Sequence, residues 1–135
     1  MHVFEKCARD RVKGFLRAQG TALVNGDGQE ILLTGWGLGN WLLPEGYMWL
    51  AGAGTRFDRP RRIEQVIQEI AGDTYATAFW RKFRDLYITQ EDVRRMAEQG
   101  FNSVRVPINW RVLMQDQPGI HFIEEGFALL DRFID

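Results

Sequence analysis

The sequence is poor in the residues that build covalent and metal cross-links. Its 135 residues include a single cysteine, Cys7, and only two histidines, His2 and His121. One cysteine cannot form an internal disulfide, and these residues have no metal-ligand spacing. We therefore expect no metal site and no internal disulfide, and a chain that folds around a hydrophobic core.

Strong net charge and long apolar runs are also missing. The 17 Lys and Arg residues are balanced by 18 Asp and Glu residues, so the formal net charge is −1. This balance gives no electrostatic reason to expect nucleic acid or an anionic membrane as a partner. The first ten residues lack the apolar core of a secretion signal, and no apolar run approaches the length of a membrane span. We therefore expect a cytoplasmic location and neither nucleic acid nor membrane as a partner.

The residues that are present are typical of one globular domain: 45% are hydrophobic, and they include 5 Trp, 9 Phe and 3 Tyr. Strands are predicted at 15–19 and 21–24 around Gly20, and a turn at 25–28 leads to a third at 30–34, so a β-hairpin opens the chain. Helices are predicted at 61–72, at 74–86, between Thr89 and Gly100, and at 122–135. Their apolar stripes, interpreted as core, are Ile63, Val66, Ile67 and Ile70; Phe79, Trp80 and Phe83; Val93, Met96 and Ala97; and Ile123, Phe127, Leu130 and Ile134.

The most informative segment is 100–110, where Gly100 is placed to end a helix in the left-handed C′ position and a strand follows. Alternation along this strand puts the aliphatic residues Val104, Val106 and Ile108 on one face. The opposite face carries Ser103, Arg105, Pro107 and Asn109. Such a strand suits a parallel barrel, in which catalytic groups sit at the carboxyl ends of strands. Arg105 is therefore a candidate functional residue. The alternative is an edge-strand arginine in solvent or in a surface ion pair.

Segment 35–49 mixes glycines with aromatic residues, as a loop that carries binding groups would. Its Gly-x-Gly-x-Gly run superficially matches a dinucleotide fingerprint, but no helix follows it. We therefore expect no cofactor.

Three segments, in this order along the chain, resemble the N-terminal part of glycoside hydrolase family 5: 35–42 (GWGLGNWL), 87–92 (YITQED) and 100–107 (GFNSVRVP). Segments 14–17 and 24–28 are also similar to that family's leading hairpin. The resemblance spans about residues 14–135 and is strongest to the branch that contains exo-acting glucan glucosidases.

The resemblance implies an α/β fold, the N-terminal portion of a (β/α)8 TIM barrel preceded by a β-hairpin. Within residues 1–135 it implies a leading hairpin at about 14–34, a first strand and binding loop at about 31–55, inserted helices at about 61–86, and a helix–strand–helix unit at about 89–135. Such a barrel needs about 250 residues, and the last predicted helix has no stop signal. We therefore expect a fragment whose partner is the remainder of the barrel.

The implied activity is that of a retaining β-glycosidase acting on an oligo- or polysaccharide of β-glucan type. Retaining hydrolysis uses two carboxyl groups about 5 Å apart. In the family these are glutamates after strands four and seven, and neither is present here, so the chain alone is expected to be inactive. Two other hypotheses stay open: a barrel enzyme of other chemistry, such as an aldolase or a flavin-dependent enzyme, and a non-catalytic carbohydrate-binding or interaction module.

The family resemblance implies roles for only a few residues of this chain. The resemblance implies that Arg105 hydrogen-bonds the nucleophilic glutamate, and a guanidinium fork would keep that carboxylate ionised. It implies that Glu45 binds sugar hydroxyls in the innermost subsite; the alternative is an exposed loop carboxylate. Asn109 is a candidate for hydrogen bonds to the sugar. Stacking faces for sugar rings are candidates at Trp41, Trp49 and Trp110, with core packing as the alternative.

Overall fold

The computed structural model describes residues 13–49 and 58–134. The α-helices there are α1 (Pro60–Ala71), α2 (Asp73–Tyr87), α3 (Gln90–Glu98) and α4 (Glu124–Ile134). The strands are β1 (Arg17–Gln19), β2 (Ala22–Val24), β3 (Gly35–Gly37) and β4 (Ser103–Arg105). The chain divides into two compact units: unit 1 is made of 1–37 and 91–105, and unit 2 of 38–90 and 106–135. Residues 50–55 of the predicted binding loop lie outside the described residues.

The hairpin of unit 1 forms as predicted around Gly20. Strands β1 and β2 pair antiparallel, with Arg17 opposite Val24. The turn predicted at 25–28 is also confirmed, because the buried Asn25 side chain accepts the N–H groups of Asp27 at 3.0 Å and Gln29 at 2.9 Å. The strand predicted at 30–34 is wrong: Glu30 makes one isolated bridge to Val24, and 31–34 are not in a strand.

Unit 1 also contains a parallel strand pair, β3 with β4, in which Gly35 lies opposite Ser103 and Gly37 opposite Arg105. A Cβ atom at Gly35 would lie 1.8 Å from the Ser103 carbonyl oxygen, so only glycine permits this approach. Asn102 holds the segment before β3 in place, because its Oδ1 accepts the Thr34 N–H at 2.8 Å. Parallel strands require a long crossover, and the chain between β3 and β4 contains α1, α2 and α3.

Helix α3 ends at the predicted glycine. Gly100 has φ 90°, its N–H donates to the Ala97 carbonyl at 3.0 Å, and the Phe101 N–H donates to the Met96 carbonyl at 3.2 Å. These two bonds are the Schellman motif that the position of Gly100 predicted. The Phe101 ring then packs edge-on against Trp36, with 5.7 Å between ring centroids.

The strand after this turn is shorter than predicted, and its burial does not alternate as expected. Strand β4 ends at Arg105, and Ile108 makes only an isolated bridge. Val104 and Ile108, assigned to the packed face, are exposed, whereas Pro107 and Asn109 from the polar face are buried. In the described part of the chain β4 pairs on one side only, and the backbone turns into a 3-10 helix at Trp110.

The core of unit 2 lies under α1 and α2. Ile63, Val66 and Trp80 are buried as predicted, but Ile70 lies at the exposed end of α1. Rings from the 3-10 turn Gly46–Trp49 and from α2 form an aromatic cluster with centroid separations of 4.7 to 6.3 Å: Trp49, Phe79, Trp80, Phe83 and Tyr87.

Helix α4 uses a different face from the predicted one. Its buried residues are Gly126 and Leu129, while Phe127 and Ile134 of the predicted stripe are exposed. A Cβ atom at Gly126 would lie 2.0 Å from the Val112 carbonyl oxygen. The helix therefore approaches the backbone at Val112 along its glycine, which rotates Leu129 rather than Phe127 into the core. Among the described residues, no helix combines the length and apolar character needed to cross a membrane.

Candidate functional site

The segment 38–49 of unit 2, here called the Asn40 loop, is held together by one side chain. Asn40 is 4% exposed and has φ 65°, a left-handed conformation that is uncommon outside glycine and best tolerated by Asn and Asp. Its Oδ1 accepts the Glu45 N–H at 3.1 Å and the Trp49 Nε1–H at 2.6 Å. Because Asn40 bonds both residues, it determines where Glu45 and Trp49 lie. The sequence interpretation missed Asn40, although its place within a glycine-rich segment was a signal for a left-handed residue.

Glu45 lies at the start of the 3-10 turn, and its carbonyl accepts the Met48 N–H at 2.9 Å. Its side chain is half-buried and lies over Gly39, where an added Cβ atom would come within 3.0 Å of Oε2. The carboxylate has no hydrogen bond or ion pair with any residue that the structure describes. Its acceptor oxygens are therefore available for a ligand.

Trp41 belongs to the core of unit 2. It is 2% exposed, its Nε1–H donates to the Arg84 carbonyl at 2.7 Å, and its ring packs against Phe133 with 5.0 Å between centroids. A sugar ring needs an open aromatic face, so this burial corrects the predicted stacking role and favours packing for Trp41. Trp49, in contrast, is half-buried and packs within the aromatic cluster.

Asn109 and Trp110 lie beside the Asn40 loop. Leu42 and Ile108 form a parallel bridge, and the Asn109 N–H donates to the Leu42 carbonyl at 2.9 Å. Asn109 is 8% exposed, and its Oδ1 accepts the Arg111 N–H at 3.3 Å, which caps the 3-10 turn Trp110–Val112. Capping explains the burial of Asn109 without a sugar contact. Trp110 is 48% exposed and keeps an open surface for a ligand.

Arg105 lies at the carboxyl end of β4 in unit 1, opposite Gly37. Its side chain is exposed, and it forms no ion pair with the carboxylates of residues 13–49 or 58–134. The role predicted for Arg105, holding a catalytic glutamate ionised, requires a carboxylate from elsewhere and stays a prediction.

A partly buried ion pair lies in unit 2 between α1 and the 3-10 turn Trp110–Val112. Arg111 NH1 lies 2.5 Å from Glu64 Oε2, and its Nε lies 3.5 Å from Asp116 Oδ2. Burial raises the pKa of Glu64, against the opposing attraction of Arg111, Arg84 and Arg61. Burial also lowers the pKa of Arg84. The folded protein therefore partly disfavours the charged form of both groups.

Comparison with known proteins finds relatives among enzymes that cleave glycosidic bonds. The chain is 31% identical over 121 residues to a protein named β-xylosidase from Phanerodontia chrysosporium, a match that covers 90% of this chain and 24% of that protein. It is 29% identical over 111 residues to a probable glucan 1,3-β-glucosidase A from Aspergillus clavatus, covering 78% of this chain and 25% of that protein. Endoglucanase C from Acetivibrio thermocellus is 30% identical over 57 residues, which is 42% of this chain and 17% of that enzyme.

The chain thus spans a quarter or less of the length of these curated relatives. No protein-family model matches it. No solved structure matches it. The names of three relatives from two fungi and a bacterium agree on one reaction class, and the chain is related to glycoside hydrolases.

Proposed function

We propose that this chain forms the N-terminal part of a retaining β-glycosidase of glycoside hydrolase family 5, in its exo-glucanase branch, with a (β/α)8 barrel fold. The observation that carries the proposal is the parallel pairing of β3 with β4 across a helical crossover, in a chain related to glycoside hydrolases. Parallel strands joined through helices are the repeating unit of that barrel. The proposed substrate is a saccharide of β-glucan type.

The proposed task of Arg105 follows from its position and its chemistry. Catalytic groups of such barrels lie at the carboxyl ends of strands, and Arg105 ends β4 with an exposed guanidinium. A retaining glycosidase needs an ionised nucleophile. A planar guanidinium fork bound to that carboxylate lowers its pKa and fixes its orientation. The nucleophile and the acid/base glutamate would both come from residues outside this sequence.

Glu45 and Trp110 are the proposed substrate contacts. The Glu45 carboxylate, in a loop ordered by Asn40, accepts no hydrogen bond from the residues that the structure describes, and charged acceptors form the stronger hydrogen bonds to sugar hydroxyls. Trp110 offers a half-exposed indole on which a pyranose ring can stack. Asn109, as a capping residue, is proposed to orient Trp110.

A β-xyloside is a second candidate substrate, because the relative that covers 90% of this chain is named β-xylosidase. Aryl β-glucoside and aryl β-xyloside hydrolysis by the complete gene product distinguishes the two. The mechanism is tested with Arg105→Lys, which keeps the charge and loses the fork. We expect kcat to fall by about 10- to 100-fold, because a hydrogen bond to a charged group contributes about 1.5–3 kcal/mol.

Arg17→Lys is the matched control, because Arg17 is also an exposed strand arginine of unit 1. An Arg105→Lys enzyme with the parent kcat and pH profile would contradict the assignment of Arg105. Saccharide binding without hydrolysis of either glycoside would instead favour a non-catalytic binding module.

A further inference from the structure

Unit 2 contains a pocket rich in arginine, built from α2, α4 and the 3-10 turn Trp110–Val112. Its volume is about 120 Å³, which is enough to admit a small polar ligand or several water molecules. Its apolar lining comes from Val112, Ile123 and Leu129. Four arginines also line it: Arg81, Arg84, Arg111 and Arg132.

Three of these arginines have a carboxylate partner. Arg81 Nε lies 2.9 Å from Glu125 Oε1, Arg132 NH2 lies 3.1 Å from Asp85 Oδ1, and Arg111 NH1 lies 2.5 Å from Glu64 Oε2. The first two pairs are solvent-exposed, so they form the rim of the pocket.

Arg84 is the exception. It is half-buried, and its guanidinium has no ion pair with the carboxylates that the structure describes. Its backbone is held in place because its carbonyl accepts the Trp41 Nε1–H. Glu64 and Glu125 attract Arg84 from beyond ion-pair distance, but burial outweighs them and lowers the pKa of Arg84. Partial burial of a guanidinium that has no ion pair is unfavourable, and the apolar lining strengthens its attraction for any anion that enters.

We propose that this pocket, here called the Arg84 pocket, binds a small free oxyanion, phosphate or a carboxylate, with Arg84 as the principal contact. The carboxylates paired with the lining arginines are Glu125, Asp85, Glu64 and Asp116. Asp116 is shared with Arg61, so five guanidinium groups face four carboxylates, and an anion of one negative charge balances the set. A guanidinium binds both oxyanions through two parallel N–H donors. This proposal is independent of glycoside hydrolysis.

The test is calorimetric titration of the complete gene product with inorganic phosphate and with acetate, using chloride at matched ionic strength as reference. We expect binding of both oxyanions, and about tenfold weaker phosphate affinity in Arg84→Lys, which keeps the charge but loses the fork. Arg17→Lys, an arginine of unit 1 outside the pocket, should bind phosphate as the parent does.

Affinity unchanged in Arg84→Lys would overturn the proposal. Absence of phosphate and acetate binding in the parent protein would also overturn it. If Arg84→Lys is then less stable than the parent, the occupant of the pocket is a carboxylate of the protein itself. Thermal unfolding with and without phosphate at about ten times the Kd measured for the parent protein separates a folded variant that does not bind from one that has unfolded.

Discussion

Replacement of Asn40 tests whether one side chain orders the loop that carries Glu45. Its Oδ1 accepts two hydrogen bonds, from the Glu45 N–H at 3.1 Å and from the Trp49 Nε1–H at 2.6 Å. Each is worth about 1 kcal/mol net, so Asn40→Ala removes about 2 kcal/mol. Alanine at φ 65° adds a left-handed penalty of about 1 kcal/mol. The expected loss in free energy of unfolding is therefore about 3 kcal/mol.

Asn40→Gly separates the two contributions. Glycine removes the same hydrogen bonds but adopts positive φ without strain. Glycine also raises the entropy of the unfolded chain, but this cost is smaller than the strain of alanine at positive φ, so the alanine variant is the less stable protein. We expect Asn40→Gly to lose about 2 kcal/mol, less than the alanine variant. Urea unfolding followed by tryptophan fluorescence and circular dichroism measures both values.

Two results would refute this reasoning. A loss below about 1 kcal/mol in Asn40→Ala would mean that the two hydrogen bonds do not stabilise the fold. Equal losses in Asn40→Ala and Asn40→Gly would mean that the left-handed conformation carries no cost.

Three further outcomes are expected. The pKa of Glu64 is raised by burial above its ordinary value of 4.5, so its contribution to stability is present below that pH and is lost as the pH rises through the higher folded pKa. Glu64→Gln should therefore have a flatter profile of unfolding free energy against pH than the parent protein, and parallel profiles for the two proteins would contradict the burial argument. Glu45→Ala in the complete gene product should reduce the binding free energy of a gluconolactone-type inhibitor by about 1.5–3 kcal/mol. Calorimetric titration measures this change, and unchanged affinity would assign Glu45 a structural role. Gly126→Ala should lower stability in thermal unfolding by about 1–3 kcal/mol, since its Cβ would lie 2.0 Å from the Val112 carbonyl oxygen; an unchanged melting temperature would mean that α4 can shift at no cost.

The local elements of this protein follow from its residue pattern. Strands on both sides of Gly20, the turn at Asn25 and the end of α3 at Gly100 are all where the pattern predicted them. Each of these features depends on residues within seven positions of one another. Periodicity and cap residues are sufficient to predict such features, because a short segment already contains both hydrogen-bonding partners.

Strand pairing and burial depend instead on residues that are distant along the chain. Strand β3 lies at Gly35–Gly37, rather than at 30–34, because its partner begins 68 residues away at Ser103. The burial of Trp41 depends on Arg84 and Phe133, and the face of α4 depends on the backbone at Val112.

The candidate site divides in the same way. From the sequence, Glu45 was a candidate ligand contact through the family resemblance, and Trp110 was one through its residue type. The capping task of Asn109 and the position of Arg84 in an arginine-lined pocket became visible only with their neighbours in place. A pattern records which side chains a segment carries. Which of those side chains is buried, and what each one bonds, depends on residues that the fold brings from distant parts of the chain.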